Sequence, residues 1–314
     1  MSSRILTKRK TVIAACTGGA LLVVTPLVAN ATTSDTPEPR PKPAIAAKGA
    51  FLQDAKSGKV LIGKTANKAR PMASTAKLMT ASVVLGTKDV NLERRVTVKQ
   101  EYRDYVTEHE ASTADLQTGD KVTVRQLLYG ALLPSGSDAA FALADTFGTG
   151  ETSAERAKSF ISMMNTKADE LGLKNSKFDS FDGTSKTTSS TPAELAKLAR
   201  HDMKYPAFRT VVSAKKYKGD APAANGGTTT YTWANTNKLL GSYKGVLGIK
   251  TGTTTPAGPC LVFAAARGDK NLVGTVMNSK DRYDDAAKLL DYGFETDAVK
   301  KMELRKLPTG AQRD

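Results

Sequence analysis

Ser74 and Lys77 stand three residues apart in "ASTAK". On a helix that spacing puts both side chains on one face. A serine hydroxyl is a weak nucleophile until a base takes its proton, and a neutral lysine can be that base. Lysine is ordinarily charged, so such a site must favour the neutral amine. Partial burial and a second cation nearby both do so. If Ser74 opens the helix, its backbone N–H lacks an intrahelical partner. That donor can then stabilise an oxyanion forming at the same serine.

The spacing alone is weak evidence. "SAKK", Ser213 to Lys216, repeats it and reads as surface. Two further clusters add weight. "SGS" at 135–137 falls at a helix–loop–helix junction, and "KTG" at 250–252 falls in a β-like run. The order Ser-x-x-Lys, Ser-x-x, Lys-Thr-Gly is the motif set of class A β-lactamases and penicillin-binding proteins. Ser135 can relay a proton between Lys77 and a leaving amine. Lys250 supplies the second cation and attracts a substrate carboxylate, to which Thr251 can hydrogen-bond. Gly252 lets the strand backbone approach the ligand closely. The N–H of Thr253 then becomes a second oxyanion donor beside that of Ser74.

These residues need a scaffold, and the apolar pattern supplies one. "AFLQDAKSGKVLIGK" reads as a hairpin around Ser57-Gly58. A buried helix starts at Ser74 and runs through "STAKLMTASVVLG". "VTVRQLLYGALL" is a second helix, stopped by Pro134. "DAAFALADTFG" is a third, with Asp138 at its N-cap. Phe160, Met164, Ala168 and Leu171 recur at helical spacing in a fourth, which closes near Gly172. Beyond residue 225 the pattern turns to strands in "VLGIKTGTT", "PCLVFAAARGDKN" and "LVGTVMNS", before "DDAAKLLDYGF" returns to helix. Strands open and close the fold while helices fill the middle. The expected class is α/β (α+β), a mostly antiparallel sheet packed with helices plus an inserted all-α subdomain.

Charge and cysteine content narrow the setting. The 314 residues hold 46 Lys and Arg against 31 Asp and Glu. Residues 1–31 combine a basic start (Arg4, Lys8, Arg9, Lys10), an apolar run and small residues at Ala29 and Ala31. That is the pattern of a secretory signal peptide, with cleavage expected after Ala31 and a retained N-terminal anchor as the alternative. Too little apolar chain precedes Cys16 for a lipidation signal. Removing four basic and no acidic residues from the net charge of +15 leaves +11. A basic exported protein is attracted to cell-wall polymers and phospholipid head groups. Its lysines are scattered and not interleaved with aromatics, which argues against nucleic acid. Cleavage leaves Cys260 alone, so no intramolecular disulfide is expected. One cysteine and the widely separated His109 and His201 make a metal site improbable. Residues 32–48 are rich in Pro, Ser and Thr and read as a linker.

With these motifs in place, the sequence resembles the D-alanyl-D-alanine carboxypeptidases, the low-molecular-weight penicillin-binding proteins. The likeness runs over roughly residues 49 to 295. "RPMASTAKLMT", "VRQLLYGALLPSGSDAA", "NTNKLL" followed by "GIKTGTTTPAG", and "RYDDAAKLLDYGF" are similar to the family's nucleophile helix, second motif, third-motif region and closing helix. Arg282 falls where the family places an arginine that binds the substrate's terminal carboxylate. The resemblance implies a β-lactamase/transpeptidase-like fold in a domain at 49–296 with a short polar tail at 297–314. It implies a serine acyl-transfer cycle on peptidoglycan stem peptides ending in D-Ala-D-Ala, with β-lactams as covalent inhibitors. No metal or organic cofactor is implied, and a monomer is expected. The protein is expected outside the cell or at the wall, with neither the C-terminal β-domain nor the amphipathic anchor of some members.

Ser137 departs from the family pattern, which usually has asparagine there. An amide offers an acceptor and two donors on a longer arm, whereas a hydroxyl has one donor and a shorter reach. Contacts to Lys77 and to the substrate amide are expected to weaken. Three rivals stand beside the carboxypeptidase. A class A-like β-lactamase needs a glutamate to activate the deacylating water, and Glu194 in "TPAELAKLAR" is the nearest candidate, although it reads as a solvated helix face. A slow or non-catalytic penicillin-binding wall protein is the second. A transpeptidase, with an amine in place of water, is the third.

Overall fold

The computed structural model describes residues 12–15 and 40–311. The expected signal peptide, apart from residues 12–15, and residues 32–39 of the linker therefore lie outside the described residues. The chain divides into two units, Met1–Pro39 and Arg40–Asp314. No helix among the described residues is long and apolar enough to cross a membrane.

The second unit opens with strands β1 (Gly49–Asp54) and β2 (Val60–Lys64), joined by the expected turn. Strand β3 (Arg70–Pro71) leads into a 3-10 turn, Ala73–Ala76, and then helix α1 (Lys77–Gly86). The region that follows carries strand β4 (Arg95–Thr97), helix α2 (Gln100–Glu108), strand β5 (Lys121–Thr123), and helices α3 (Val124–Leu132), α4 (Ser137–Phe147) and α5 (Ser153–Glu170). Strand β6 (Ser189–Ser190) and helices α6 (Pro192–Asp202) and α7 (Pro206–Ser213) come next. A hairpin, β7 (Lys216–Pro222) with β8 (Thr228–Ala234), precedes the long strands β9 (Val246–Gly252), β10 (Cys260–Arg267) and β11 (Lys270–Met277), and helix α8 (Arg282–Phe294) closes the fold.

The five-stranded sheet runs β2-β1-β11-β10-β9, and every pairing is antiparallel. The N-terminal hairpin thus pairs with strands from the far end of the chain. Side chains alternate across a strand, so each strand serves both faces. Leu261, Phe263, Leu272 and Val276 pack with Leu289, Leu290 and Phe294 of α8. Val262, Ala264, Val273 and Met277 share the other core with Leu78, Leu195 and Leu198. Both faces being covered, the central strands β10 and β11 read as largely apolar runs. Each such Leu or Phe contributes about 1.5–3 kcal/mol on burial.

Two local expectations are corrected. Ser74 does not open an α-helix, because it lies in the 3-10 turn and α1 starts at Lys77. The N-cap of α4 is Gly136, not Asp138. Asp138 is buried in the first turn, and its carboxylate accepts from the N–H groups of Ala114 (2.8 Å), Leu116 (3.0 Å) and Ala139 (2.9 Å) and from the Thr113 hydroxyl (2.8 Å). It ties a distant loop to the helix. Helix α2 and the β7–β8 hairpin carry no clear pattern in the sequence. Only Tyr102 of α2 is buried, so the helix carries no apolar stripe, and β7 mixes lysines with glycine and proline.

The helical region is pinned by Asp145 of α4. Its carboxylate accepts from the Tyr102 hydroxyl (2.5 Å), Lys99 Nζ (2.8 Å) and Arg156 Nε (2.6 Å). Burial acts to raise its pKa, but these hydrogen bonds outweigh it and hold the group below the ordinary 3.8. A carboxyl depressed by folding contributes stability that is full above its unfolded pKa and is lost as pH falls through the folded one. Asp145→Asn is therefore expected to lower stability at neutral pH by about 2 kcal/mol. It should also flatten the acid limb of a Tm-against-pH curve below pH 3.8. An acid limb identical to wild type would refute this role.

Candidate active site

The 3-10 turn of Ser74 is held between two glycine backbones. Gly183 has φ +89°, and a Cβ there would sit 2.0 Å from the carbonyl oxygen of Ala73. On the other side, a Cβ on Gly252 would lie 2.9 Å from the backbone nitrogens of both Ser74 and Thr75. Real Cβ atoms do not approach so closely, so glycine is required at both positions for this packing. Strand β9 is the edge of the sheet, and its end at Gly252 meets the turn directly. Ala73 itself has φ +49°.

Ser74 is half-buried, and its Oγ accepts a hydrogen bond from Lys77 Nζ at 3.1 Å. Lys77 is 1% exposed and also donates to the carbonyl of Asp182 at 3.1 Å. The Asp182 carboxylate accepts from the hydroxyls of Tyr105 (3.2 Å) and Thr184 (2.8 Å) and from the Thr184 N–H (3.1 Å). Burial and the neighbouring Asp182 push the Tyr105 phenol well above its usual pKa, so it remains a donor. The Thr80 hydroxyl of α1 bonds the Phe181 carbonyl. Segment 180–184 thus supports the nucleophile turn and its lysine together.

Ser135 and Ser137 flank Gly136 where α3 gives way to α4. Ser135 has φ +70°. The Gly136 N–H bonds the Gly130 carbonyl (2.9 Å) and the Ser137 N–H bonds that of Ser112 (2.8 Å). Both serines are buried, and neither hydroxyl makes a hydrogen bond among the described residues. The Ser137 hydroxyl therefore makes no hydrogen bond to Lys77.

In β9, Lys250 is buried and donates to the carbonyl of Thr251 at 2.9 Å. The Thr251 hydroxyl lies 2.7 Å from that of Thr236, which also bonds the Leu133 carbonyl through its N–H (3.1 Å) and its hydroxyl (3.3 Å). Thr236 therefore links the segment of Ser135 to the segment of Lys250. It stands inside "NTNKLL", a stretch whose chemistry the sequence did not single out. Arg282 donates to Thr253 Oγ1 (2.9 Å) and to the carbonyls of Gly252 and Cys260 (both 3.3 Å). It braces the end of β9 next to Thr253, which is exposed.

Glu194 is not the solvated residue expected. It is half-buried at the start of α6 and accepts from the Asn175 N–H (3.0 Å) and Nδ2 (3.0 Å) and from Ser176 Oγ (2.6 Å). Both oxygens are engaged in organising that turn. Among the described residues no group of His, Cys, Asp and Glu is arranged to hold a metal ion. A hydroxyl in contact with a buried amine is a unit suited to proton transfer and nucleophilic attack.

The family model described as D-alanyl-D-alanine carboxypeptidase, peptidase S11, matches residues 33–281. The D-alanyl-D-alanine carboxypeptidase of Streptomyces sp. strain K15 is 47% identical over 291 residues, 91% of this chain and 98% of that one. Carboxypeptidase DacB2 of Mycobacterium tuberculosis is 34% identical over 253 residues, 78% of this chain and 81% of that one. The crystal structure of the Streptomyces K15 DD-transpeptidase matches with TM-score 0.80 at 50% identity, covering 81% of this chain and 99% of that chain. With its Ser74–Lys77 pair set against the Lys-Thr-Gly strand edge, the chain belongs to the D-alanyl-D-alanine carboxypeptidase family of serine peptidases.

Proposed function

We propose that the protein removes the terminal D-alanine from peptidoglycan stem peptides through an acyl-enzyme on Ser74. The 3.1 Å contact between Ser74 Oγ and Lys77 Nζ carries this reading. Lys77 takes the hydroxyl proton as Ser74 Oγ attacks the carbonyl carbon of the penultimate D-alanine. Burial disfavours a charged amine, and Lys77 is 1% exposed, which suits a base. The oxyanion falls to the N–H groups of Ser74 and Thr253. Collapse breaks the C–N bond, and the proton returns through Ser135 to the leaving D-alanine amine. Water then attacks the ester, restoring Ser74 and releasing the shortened peptide. Lys250, Thr251 and Arg282 hold the substrate's terminal carboxylate, and Gly252 lets it lie close to the strand. Ser137 faces the substrate amide. β-Lactams, whose strained amide and carboxylate imitate the dipeptide, acylate Ser74.

A second reading has an amine in place of water as acceptor. The name of the Streptomyces K15 DD-transpeptidase, at 50% identity, favours it. Export follows from the basic-then-apolar N-terminus.

Labelled penicillin should attach covalently to the wild-type protein and not to Ser74→Ala. Unlabelled wild-type protein would refute the site. D-Alanine release from diacetyl-Lys-D-Ala-D-Ala measures hydrolysis, and added glycine diverting the acyl group to a transfer product measures the second reading. Ser137→Asn should change the acylation rate while leaving Tm within a few degrees, and unaltered kinetics would remove Ser137 from substrate contact. Gly252→Ala should slow acylation by about tenfold or more, since its Cβ displaces the Ser74 turn.

A further inference from the structure

The C-terminal segment reaches the site. Leu304 lines a surface cavity of about 360 Å³ together with Thr253, Arg282 and Tyr283. The next residue, Arg305, donates from Nη2 to the carbonyls of Asn235 (2.5 Å) and Asn237 (3.2 Å). Its backbone N–H bonds Ser242 Oγ (2.7 Å). These two carbonyls flank Thr236 on either side. Thr236 in turn touches Thr251, and its own carbonyl accepts from the Tyr283 hydroxyl at 3.1 Å. Asn235, Thr236 and Asn237 are all buried. One guanidinium thus spans the loop whose central hydroxyl meets the proposed carboxylate binder.

Proton bookkeeping shows why that loop matters. Each hydroxyl has one proton to donate. When Thr236 donates to Leu133, the shared bond with Thr251 has to use the Thr251 proton. When Thr236 donates to Thr251 instead, the Thr251 proton need not go to Thr236 and can turn toward a substrate carboxylate. A shift of the loop by a few tenths of an ångström changes which of the two bonds Thr236 favours, because the Leu133 bond, at 3.3 Å, is already long.

We infer that Arg305 is a positioning residue, which by holding the carbonyls of Asn235 and Asn237 keeps Thr236 against Thr251 and so tunes recognition of the substrate's terminal carboxylate. This rests on the proposed reading of Thr251. A half-buried arginine donating to two carbonyls is a stronger clamp than a lysine, whose ammonium lacks the planar fork.

The experiment compares wild type, Arg305→Met and Arg305→Lys on diacetyl-Lys-D-Ala-D-Ala and on the same peptide ending in a C-terminal amide. Arg305→Met should raise KM for the acid peptide about tenfold with kcat changed by less than about twofold. Its preference for acid over amide should shrink by a similar factor, and Arg305→Lys should recover part of it. Should Arg305→Met fail to fold, Arg305→Lys alone decides, since its acid preference must fall below that of wild type. An unchanged acid-to-amide ratio in folded variants, with only Tm lowered, would reduce Arg305 to a structural brace and overturn the inference. Wild-type protein that takes no penicillin label on Ser74 would overturn the reading of the site itself, and this inference with it.

Discussion

The fit of one short turn between two glycine backbones governs the rest of the structure. Ala73–Ala76 carries Ser74, and neither Gly183 nor Gly252 can bear a side chain without displacing it. Gly252 belongs to the sheet edge, while Gly183 belongs to the loop between α5 and α6. The turn is therefore where the sheet and the helical region are brought into register. Its position relative to Lys250 follows from the pairing of β9 with β10, in which Gly252 faces Cys260 and Lys250 faces Val262. A slip of one residue would turn Lys250 to the opposite face of the sheet. The backbone bears a cost here as well. Ala73 and Ser135 both hold positive φ, which disfavours a residue with a Cβ by roughly 1–2 kcal/mol each. Both lie at segments that present a hydroxyl, and the packed surroundings keep them there.

The buried charges divide by task. The contacts described for Lys77 and Lys250 include main-chain carbonyls, those of Asp182 and Thr251. Buried aspartates organise loops by accepting N–H and hydroxyl groups. Asp138 fixes residues 113–116 to α4, Asp285 accepts from the Ala46 and Ala47 N–H groups and Ser279 Oγ, and Asp291 accepts from Ala298, Val299, Thr296 and Tyr243. A lone carboxylate in the interior is costly, but one that receives three or four donors is a strong local organiser. These aspartates keep the site's supporting loops in place without touching the reacting groups.

Much of this was legible in the sequence, and the reasons differ by element. The long strands and α8 showed themselves because both sheet faces are covered and their residues form apolar runs. Ser74, Lys77, Ser135 and Lys250 stood out by spacing and order. The Ser74 turn reads as α-helix, since "ASTAKLM" has no residue that forbids one, whereas in the fold it is a 3-10 turn packed against Gly183 and Gly252. Asp138 reads as a cap because aspartate before an apolar run usually is one, yet all its partners except the Ala139 N–H lie more than twenty residues away. Thr236 lies in the family-like stretch "NTNKLL" with nothing in the spacing to mark its role, and Asp182 carries no local signature. Their importance lies in what folding brings beside them, which no spacing rule contains.

Ser137 shows how such tertiary locking constrains chemistry. Its backbone is held by the Ser112 carbonyl, and the adjoining Asp138 is tied by four donors, so neither contact depends on the Ser137 side chain. Exchanging an amide for a hydroxyl at this position therefore leaves the start of α4 where it is. What changes is reach and donor count, because Oγ stops short of where an asparagine amide would extend. The Ser137 hydroxyl is buried and makes no hydrogen bond among the described residues, and the same holds for Ser135. Ser135 is oriented by its own backbone at φ +70°, whereas Ser137 sits in regular helix. The two hydroxyls are thus presented by different backbone devices. A departure from the family pattern at 137 changes one side chain's length and donor count without altering the frame that presents it.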